Sequence, residues 1–266
     1  MWRFVHGQTG RAGLRGYGDG RAEVSTWALL GMMLSVLVAG ATQRITGIGF
    51  ALVSAPLLVV MVGPITGVLL TNVLNLTTNI IVLAQTWRQV ELRRVLLLAI
   101  PALCFVPVGQ YVARLLPPAT LMVGIGGIIL VALAAVQLLR RTTLFSGPGG
   151  AIAAGAMSGF MNVTAGVGGP AITLYAIGSR WPLRSFVGSM QLYFALVNTG
   201  SIVAKGLPHV GTTALAAAIG ALVLGVLLGH VAARHIAPER ARTAVLVLAM
   251  AGATATLVKG LFLSLQ

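Results

Sequence analysis

The chain has 266 residues, 57% of them hydrophobic and 8% charged. A soluble domain carries about a quarter charged residues, so this composition excludes one and points to a polytopic α-helical membrane protein. The net charge of +14 comes from 18 Lys+Arg against 4 Asp+Glu. The basic residues sit in short loops between apolar runs, which is the positive-inside pattern, and no basic stripe with interleaved aromatics suggests nucleic acid.

Residues 1–26 hold Arg3, Arg11, Arg15 and Arg21 among glycines, with little apolar content. A signal peptide would place its apolar stretch directly after a short basic start. The segment reads instead as a disordered basic tail, or as a start placed too far upstream. The apolar stretches that follow are Trp27–Gln43, Ile45–Trp87, Val95–Ala113, Leu115–Leu139, Thr142–Ser179, Ser185–Ala204, Gly206–Ala233 and Thr243–Val258. Ile45–Trp87 and Thr142–Ser179 contain no charge, and each is about two bilayer thicknesses of helical chain. Gly63-Pro64 divides the first tract and leaves a helix over about 66–86. The stretches 27–62 and 150–177 are each predicted to hold two short pieces of about 11 to 16 residues meeting at Gly47 and Gly166, marginal for full spans. They read as short helices or re-entrant arms.

The chain repeats itself. At an offset of 119 positions Gly40, Gly47, Gly49 and Asn79 fall on Gly159, Gly166, Gly168 and Asn198. At 120 positions Gly109, Ala113, Arg114 and Pro118 fall on Gly229, Ala233, Arg234 and Pro238. This sets repeat 1 at 27–141 and repeat 2 at 142–266, each a Gly-broken helix pair followed by three helices, about 8–10 helical segments in all. Counting each broken pair as an even crossing puts the loops of Arg88/Arg93/Arg94, Arg140/Arg141, Arg180/Arg184 and Arg234/Arg240/Arg242 in the cytoplasm. Only Arg114, Lys205 and Lys259 then fall outside, which makes the repeats inverted. The basic tail falls outside too, against the rule.

The breaks carry the candidate chemistry. Glycines between half-helices leave N–H groups unpaired, and at a half-helix N-terminus these groups and the macrodipole favour an anion. The candidates are Gly47 and Gly49 in the first break and Gly166, Gly168 and Gly169 in the second. Gln43 and Thr46 precede the first break; Asn162 and Thr164 precede the second, with Gln43 and Asn162 at matching positions. Asn72, with Asn75 and Asn79 on one helix face, and Gln191, with Asn198, extend the polar set. The competing reading is structural: interhelical hydrogen bonds, with Asn79 and Asn198 as a structural pair, and close packing at Gly155/Gly159 and Gly225/Gly229. Arg44 reads either as an anion-attracting charge or as a marker of the cytoplasmic tip of the broken pair, the latter favoured because Val163 stands at its counterpart.

Asp19, Glu23, Glu91 and Glu239 are the only acids, and all lie in the tail or loops. No carboxylate is therefore placed for a proton or sodium relay, which argues against cation transport. His6, His209, His230 and His235 form no ligand pair, so no metal or other cofactor is expected. Ser158 lacks His/Asp partners for nucleophilic catalysis, so the protein is expected not to be an enzyme. Cys104 is read as a small packing residue.

The duplicated block Ala39-Gly40 … Thr46-Gly47-Ile48-Gly49-Phe50 … Pro56-Leu57 and Ser158-Gly159 … Ala165-Gly166-Val167-Gly168-Gly169-Pro170 resembles the TauE/SafE family of sulfite exporters. The basic loop Arg88–Arg94 and Gly109 … Arg114 … Pro118 with its copy add to the likeness, which spans about residues 30 to 262. In the family's first motif a glycine often stands where this chain has Phe50, which narrows the first half-site. The resemblance implies a multi-pass inner-membrane secondary transporter, an exporter of small anions such as sulfite, sulfoacetate and related organosulfonates. Its partners would be the lipid bilayer and the anion, with a homo-oligomer left open. The alternative is a non-transporting structural or partner-binding membrane subunit.

Overall fold

The computed structural model describes residues 26–46, 49–139, 145–208, 210–232 and 235–265. The predicted basic tail lies outside them, apart from Thr26 at the start of the first helix. Among the described residues there are ten α-helices and no strand: α1 (Thr26–Thr46), α2 (Phe50–Val62), α3 (Pro64–Thr86), α4 (Leu92–Leu115), α5 (Pro118–Leu138), α6 (Gly147–Ala165), α7 (Gly169–Gly178), α8 (Leu183–Lys205), α9 (Thr212–Ala232) and α10 (Pro238–Ser264). Proline punctuates the chain. It occupies the first turn of α3, α5, α6, α7 and α10, where its missing N–H costs no helical hydrogen bond. Gly63 turns α2 into α3 at φ 87°, a conformation that only glycine adopts cheaply.

Among the described residues seven helices are long and apolar enough to cross a membrane, and the protein is an all-α multi-pass membrane protein. Both tracts do break, but unequally. The arms before the breaks are 21 and 19 residues long, α1 and α6, and the arms after them are 13 and 10, α2 and α7. The predicted start of the second pair at residue 150 was late: the helix begins at Gly147-Pro148. Gly150 lies inside it, pressed against the Phe145 backbone so closely that no side chain fits.

The packing repeats when the first five helices are exchanged for the last five. α1 lies on α9 and α4 on α6, while α3 packs on α8 and α5 on α10. Glycines set the first two crossings. A methyl group on Gly155 would strike Leu98 O, and one on Gly159 would strike Ala102 O. In the matching seam Gly225 faces Leu37 O, and a methyl on Gly229 would lie 2.6 Å from Ala41 O. The packing role expected of these small-residue pairs is what the structure shows, since backbones this close admit no Cβ. The ascending order of both sets of contacts makes α1 parallel to α9 and α4 parallel to α6.

Loop contacts fix the remaining directions. Between α3 and α4 the Glu91 N–H donates to Ser189 Oγ at 2.9 Å, and Trp181 Nε1, just before α8, donates to Glu91 Oε1 at 2.9 Å. Arg94 Nε pairs with Glu91 Oε2 at 3.0 Å, and its guanidinium lies 5.0 Å from the centre of the Trp181 ring. Burial raises the Glu91 carboxyl, but hydrogen bonds from Ser185 and Trp181 and the charge of Arg94 outweigh it and hold the group below its usual range. The end of α3 thus meets the start of α8, so these two helices are antiparallel. At the opposite end Arg114 Nη2 donates to Ala204 O at 3.4 Å, and Lys259 Nζ donates to Val60 O at 2.7 Å. Two of the three basic residues expected outside, Arg114 and Lys259, thus cover carbonyls in the last turns of α8 and α2.

Apolar side chains such as Ile100, Val131, Val223, Leu227 and Val247 face outward, while Asn72, Asn162, Gln191 and Asn198 are buried. That distribution suits lipid, where packing and interhelical hydrogen bonds hold helices together. Cys104 corrects an expectation: it is exposed on α4 rather than packed inside. An apolar run of this kind gives no periodicity to say which face turns to lipid.

Candidate substrate site at the helix breaks

The second break is the better described. α6 ends on Gly166, whose φ of +73° is left-handed and whose N–H bonds to Asn162 O at 2.9 Å. A methyl on Gly166 would touch Ala55 Cβ at 3.2 Å and Thr71 Cγ2 at 3.5 Å, so the break of one half lies against α2 and α3 of the other. Ala55 is five residues beyond Phe50, an axial rise of about 7.5 Å. Val167 and Gly168 are buried. Gly168 sits on α6: a methyl there would strike Ser158 Oγ and lie 2.9 Å from Ser158 O and 3.3 Å from Asn162 Cβ. Gly169, the first residue of α7, is partly exposed, and a methyl on it would meet nothing within 4 Å. The ten residues of α7 rise about 15 Å, half the hydrocarbon thickness, so its N-terminus lies near mid-depth if Gly178 stands at the interface. Among the described residues no side chain caps its first turn.

The first break is built differently. Gln43 Oε1 accepts the Phe50 N–H at 2.9 Å, which satisfies a leading donor of α2. Gly49 precedes it, buried, with an ordinary φ of −86°. Phe50 is fully buried in a cluster with Met32, Val36, Ala39 and Leu74. Gly47 lies outside the described residues. The backbones of Thr46 and Arg44 belong to α1, and their side chains are outside the description.

The polar candidates divide into those that join a network and those that stand apart. Asn162 Nδ2 donates to Asn198 Oδ1 at 3.0 Å and to Ser201 Oγ at 3.2 Å, which leaves Asn162 Oδ1 and Asn198 Nδ2 buried without partners. Asn198 thus bonds Asn162 rather than pairing with Asn79, whose Nδ2 is also unpartnered. Gln191 Oε1 and both polar atoms of Asn72 are buried and unpartnered, and these two residues occupy matching positions in the halves. Thr164 is turned away: its Oγ1 bonds back to Phe160 O at 2.7 Å, and its methyl abuts Gly109 on α4.

Two residues absent from the sequence-derived site belong to this neighbourhood. In the sequence Ser158 reads as a nucleophile without partners, and Tyr193 carries no local signal. Their hydroxyls are neighbours whose geometry falls short of a hydrogen bond, and both are fully buried and unpartnered. Comparing the halves at the 119-position offset would have found them, because their counterparts are Ala39 and Leu74. Each orphaned buried group costs about 1–3 kcal/mol, so such a concentration invites a functional explanation. On the other side of α7 an apolar cleft of about 660 Å³ is bounded by Phe105, Val131, Phe160 and Leu174, and its lining offers an anion no partner. Among the described residues no group of three metal-ligating side chains occurs.

No curated protein and no solved structure matches the chain. The family model described as sulfite exporter TauE/SafE matches residues 32–256, which includes both breaks, both glycine seams and all but the outer ends of α1 and α10. The chain belongs to the TauE/SafE family of membrane transporters.

Proposed function

We propose that the protein is a secondary transporter that exports small anions such as sulfite, sulfoacetate or related organosulfonates across the cell inner membrane. The family supports an anion as cargo. One observation above the others supports a site at the second helix break: α7 has an uncapped first turn beside buried polar groups that lack partners. Backbone N–H groups and the dipole of α7 supply favourable potential for the anion. Gly166, Gly168 and Gly169 let the chain turn and the substrate approach, while Asn162, Asn72 and Gln191 orient it. Gly47, Gly49, Gln43 and Thr46 form the counterpart around α2.

Two inverted repeats at 27–141 and 142–266 complete the reading. The antiparallel course of α3 and α8, and the exchange of partners between the α1–α9 and α4–α6 seams, support it. In this conformation the polar atoms beside the second break are sealed from solvent. Transport requires them to open first to one side and then to the other as the halves rock.

The test is flux of radiolabelled sulfite and sulfoacetate in proteoliposomes holding the purified full chain. Saturable flux that each unlabelled anion inhibits is expected. Absence of flux for both, in protein that retains its helical circular dichroism, would favour the partner-binding subunit.

A further inference from the structure

The two half-sites hold matching glycines in the sequence and opposite chemistry around them. At the 119-position offset Ala39 stands against Ser158, Phe50 against Gly169 and Leu74 against Tyr193. In the first half all three residues are buried members of one apolar cluster, and Gln43 already accepts the Phe50 N–H at 2.9 Å. In the second half the same three positions carry a hydroxyl, no side chain and a second hydroxyl. Ser158 Oγ is the atom that a methyl on Gly168 would strike, so it is aimed at the backbone leading into α7. Tyr193, from α8, lies beside it. Neither hydroxyl has a hydrogen-bond partner beyond the other, and both are fully buried.

Resting on the anion-transport reading, we propose that the protein binds one anion rather than two, in the second half only, with the Ser158 and Tyr193 hydroxyls as donors to its oxygens. The first turn of α7 supplies the backbone donors, and Asn162, one turn beyond Ser158 on α6, sets the edge of the site. A hydroxyl can donate to an anion, but a leucine or alanine in the same place cannot, and the ring of Phe50 fills the space that Gly169 leaves open. The first half is thereby a plugged copy. It keeps the broken helix that the rocking motion needs, and its leading donor is spent on Gln43. The ligand class is a small oxyanion with at least two acceptor oxygens, as in a sulfite or a sulfonate.

Binding of sulfite to the full-length protein in detergent, by isothermal titration and by sulfite-induced thermal stabilisation, tests this with Ser158→Ala, Tyr193→Phe and the wild type. The wild type is expected to bind one sulfite per chain. Each variant should bind about tenfold or more weakly, the loss expected for a hydrogen bond to a charged group. Without sulfite the variants should melt at or above the wild-type temperature, because each loses a buried hydroxyl with no well-formed hydrogen bond. That sign separates the proposal from a structural role, in which the ligand-free protein would melt lower and affinity would hold. Two sulfites per wild-type chain, or wild-type affinity in both variants, would overturn the one-sided site and leave anion transport standing. Failure of the wild type to bind sulfite, sulfoacetate or methanesulfonate would overturn the transport reading and this inference together.

Discussion

Two adjacent glycines at the second break should respond differently to the same methyl group, one in stability and the other in transport. In Gly168→Ala the new Cβ meets Ser158 Oγ and sits 2.9 Å from Ser158 O. The oxygen belongs to the helix backbone and gives way only if α6 and α7 separate, an overpacking cost of about 1–3 kcal/mol. In Gly169→Ala the Cβ meets nothing within 4 Å, and its φ falls outside the positive range. Gly169 is the first residue of α7 and precedes Pro170, where a Cβ before proline disfavours the helical region and offsets the roughly 0.5–1 kcal/mol that alanine gains over glycine inside a helix, so the folded protein should change little in stability. Yet that methyl stands where the anion would reach the first turn of α7. Losing one hydrogen bond to a charged group costs about 1.5–3 kcal/mol, roughly ten- to hundredfold in affinity. Tryptophan-fluorescence melting in detergent and sulfite flux in proteoliposomes read the two quantities separately. Gly124→Ala on α5, another glycine with open space around it, is the control and should stabilise without touching flux. The reasoning fails if Gly169→Ala is as stable as expected and transports at the wild-type rate.

Three further outcomes follow from the packing. Gly159→Ala and Gly229→Ala, which press on Ala102 and Ala41 backbones in matching seams, should each lower stability by about 1–3 kcal/mol, whereas Gly220→Ala, with nothing nearby, should not; melting temperatures decide. Thr256 Oγ1 on α10 donates to Pro56 O of α2 at 3.0 Å, so Thr256→Val should cost about 0.6 kcal/mol and no more than about 1.7, measured by the same melts. The Glu91 carboxyl is held below its usual range by Ser185, Trp181 and Arg94 despite its burial. Its contribution is therefore present above the ordinary carboxylate pKa and fades as pH falls through the lowered one. The melting-temperature gap between wild type and Glu91→Gln should be open at neutral pH and close on acidification, and a gap that widens toward low pH would contradict the assigned partners.

Sequence made much of this architecture visible because glycine and proline act locally. Gly63-Pro64 separates α2 from α3 in the sequence and in the structure, since a positive φ followed by a fixed one leaves little else to happen there. Gly155/Gly159 and Gly225/Gly229 mark seams because only a missing side chain lets backbones touch. What sequence hid depends on which face of a helix meets what. Thr164 adjoins the break in the chain yet bonds back to Phe160, and Cys104 sits in an apolar run yet faces outward. Ser158 looked like a nucleophile without partners until its hydroxyl was found against the backbone of Gly168. Tyr193 carried no local signal at all; its meaning comes from the leucine at the matching place in the other half.

The claim beneath all of this is that the buried polar groups at the second break open to water and admit an anion. Ser158→Cys is a nearly isosteric way to ask, in a chain whose exposed Cys104 is first replaced by alanine. A membrane-impermeant thiol reagent applied to proteoliposomes should label position 158, and methanesulfonate, which does not consume such reagents, should slow the labelling. Absence of labelling from either face in a variant that still transports sulfite would place the pathway elsewhere.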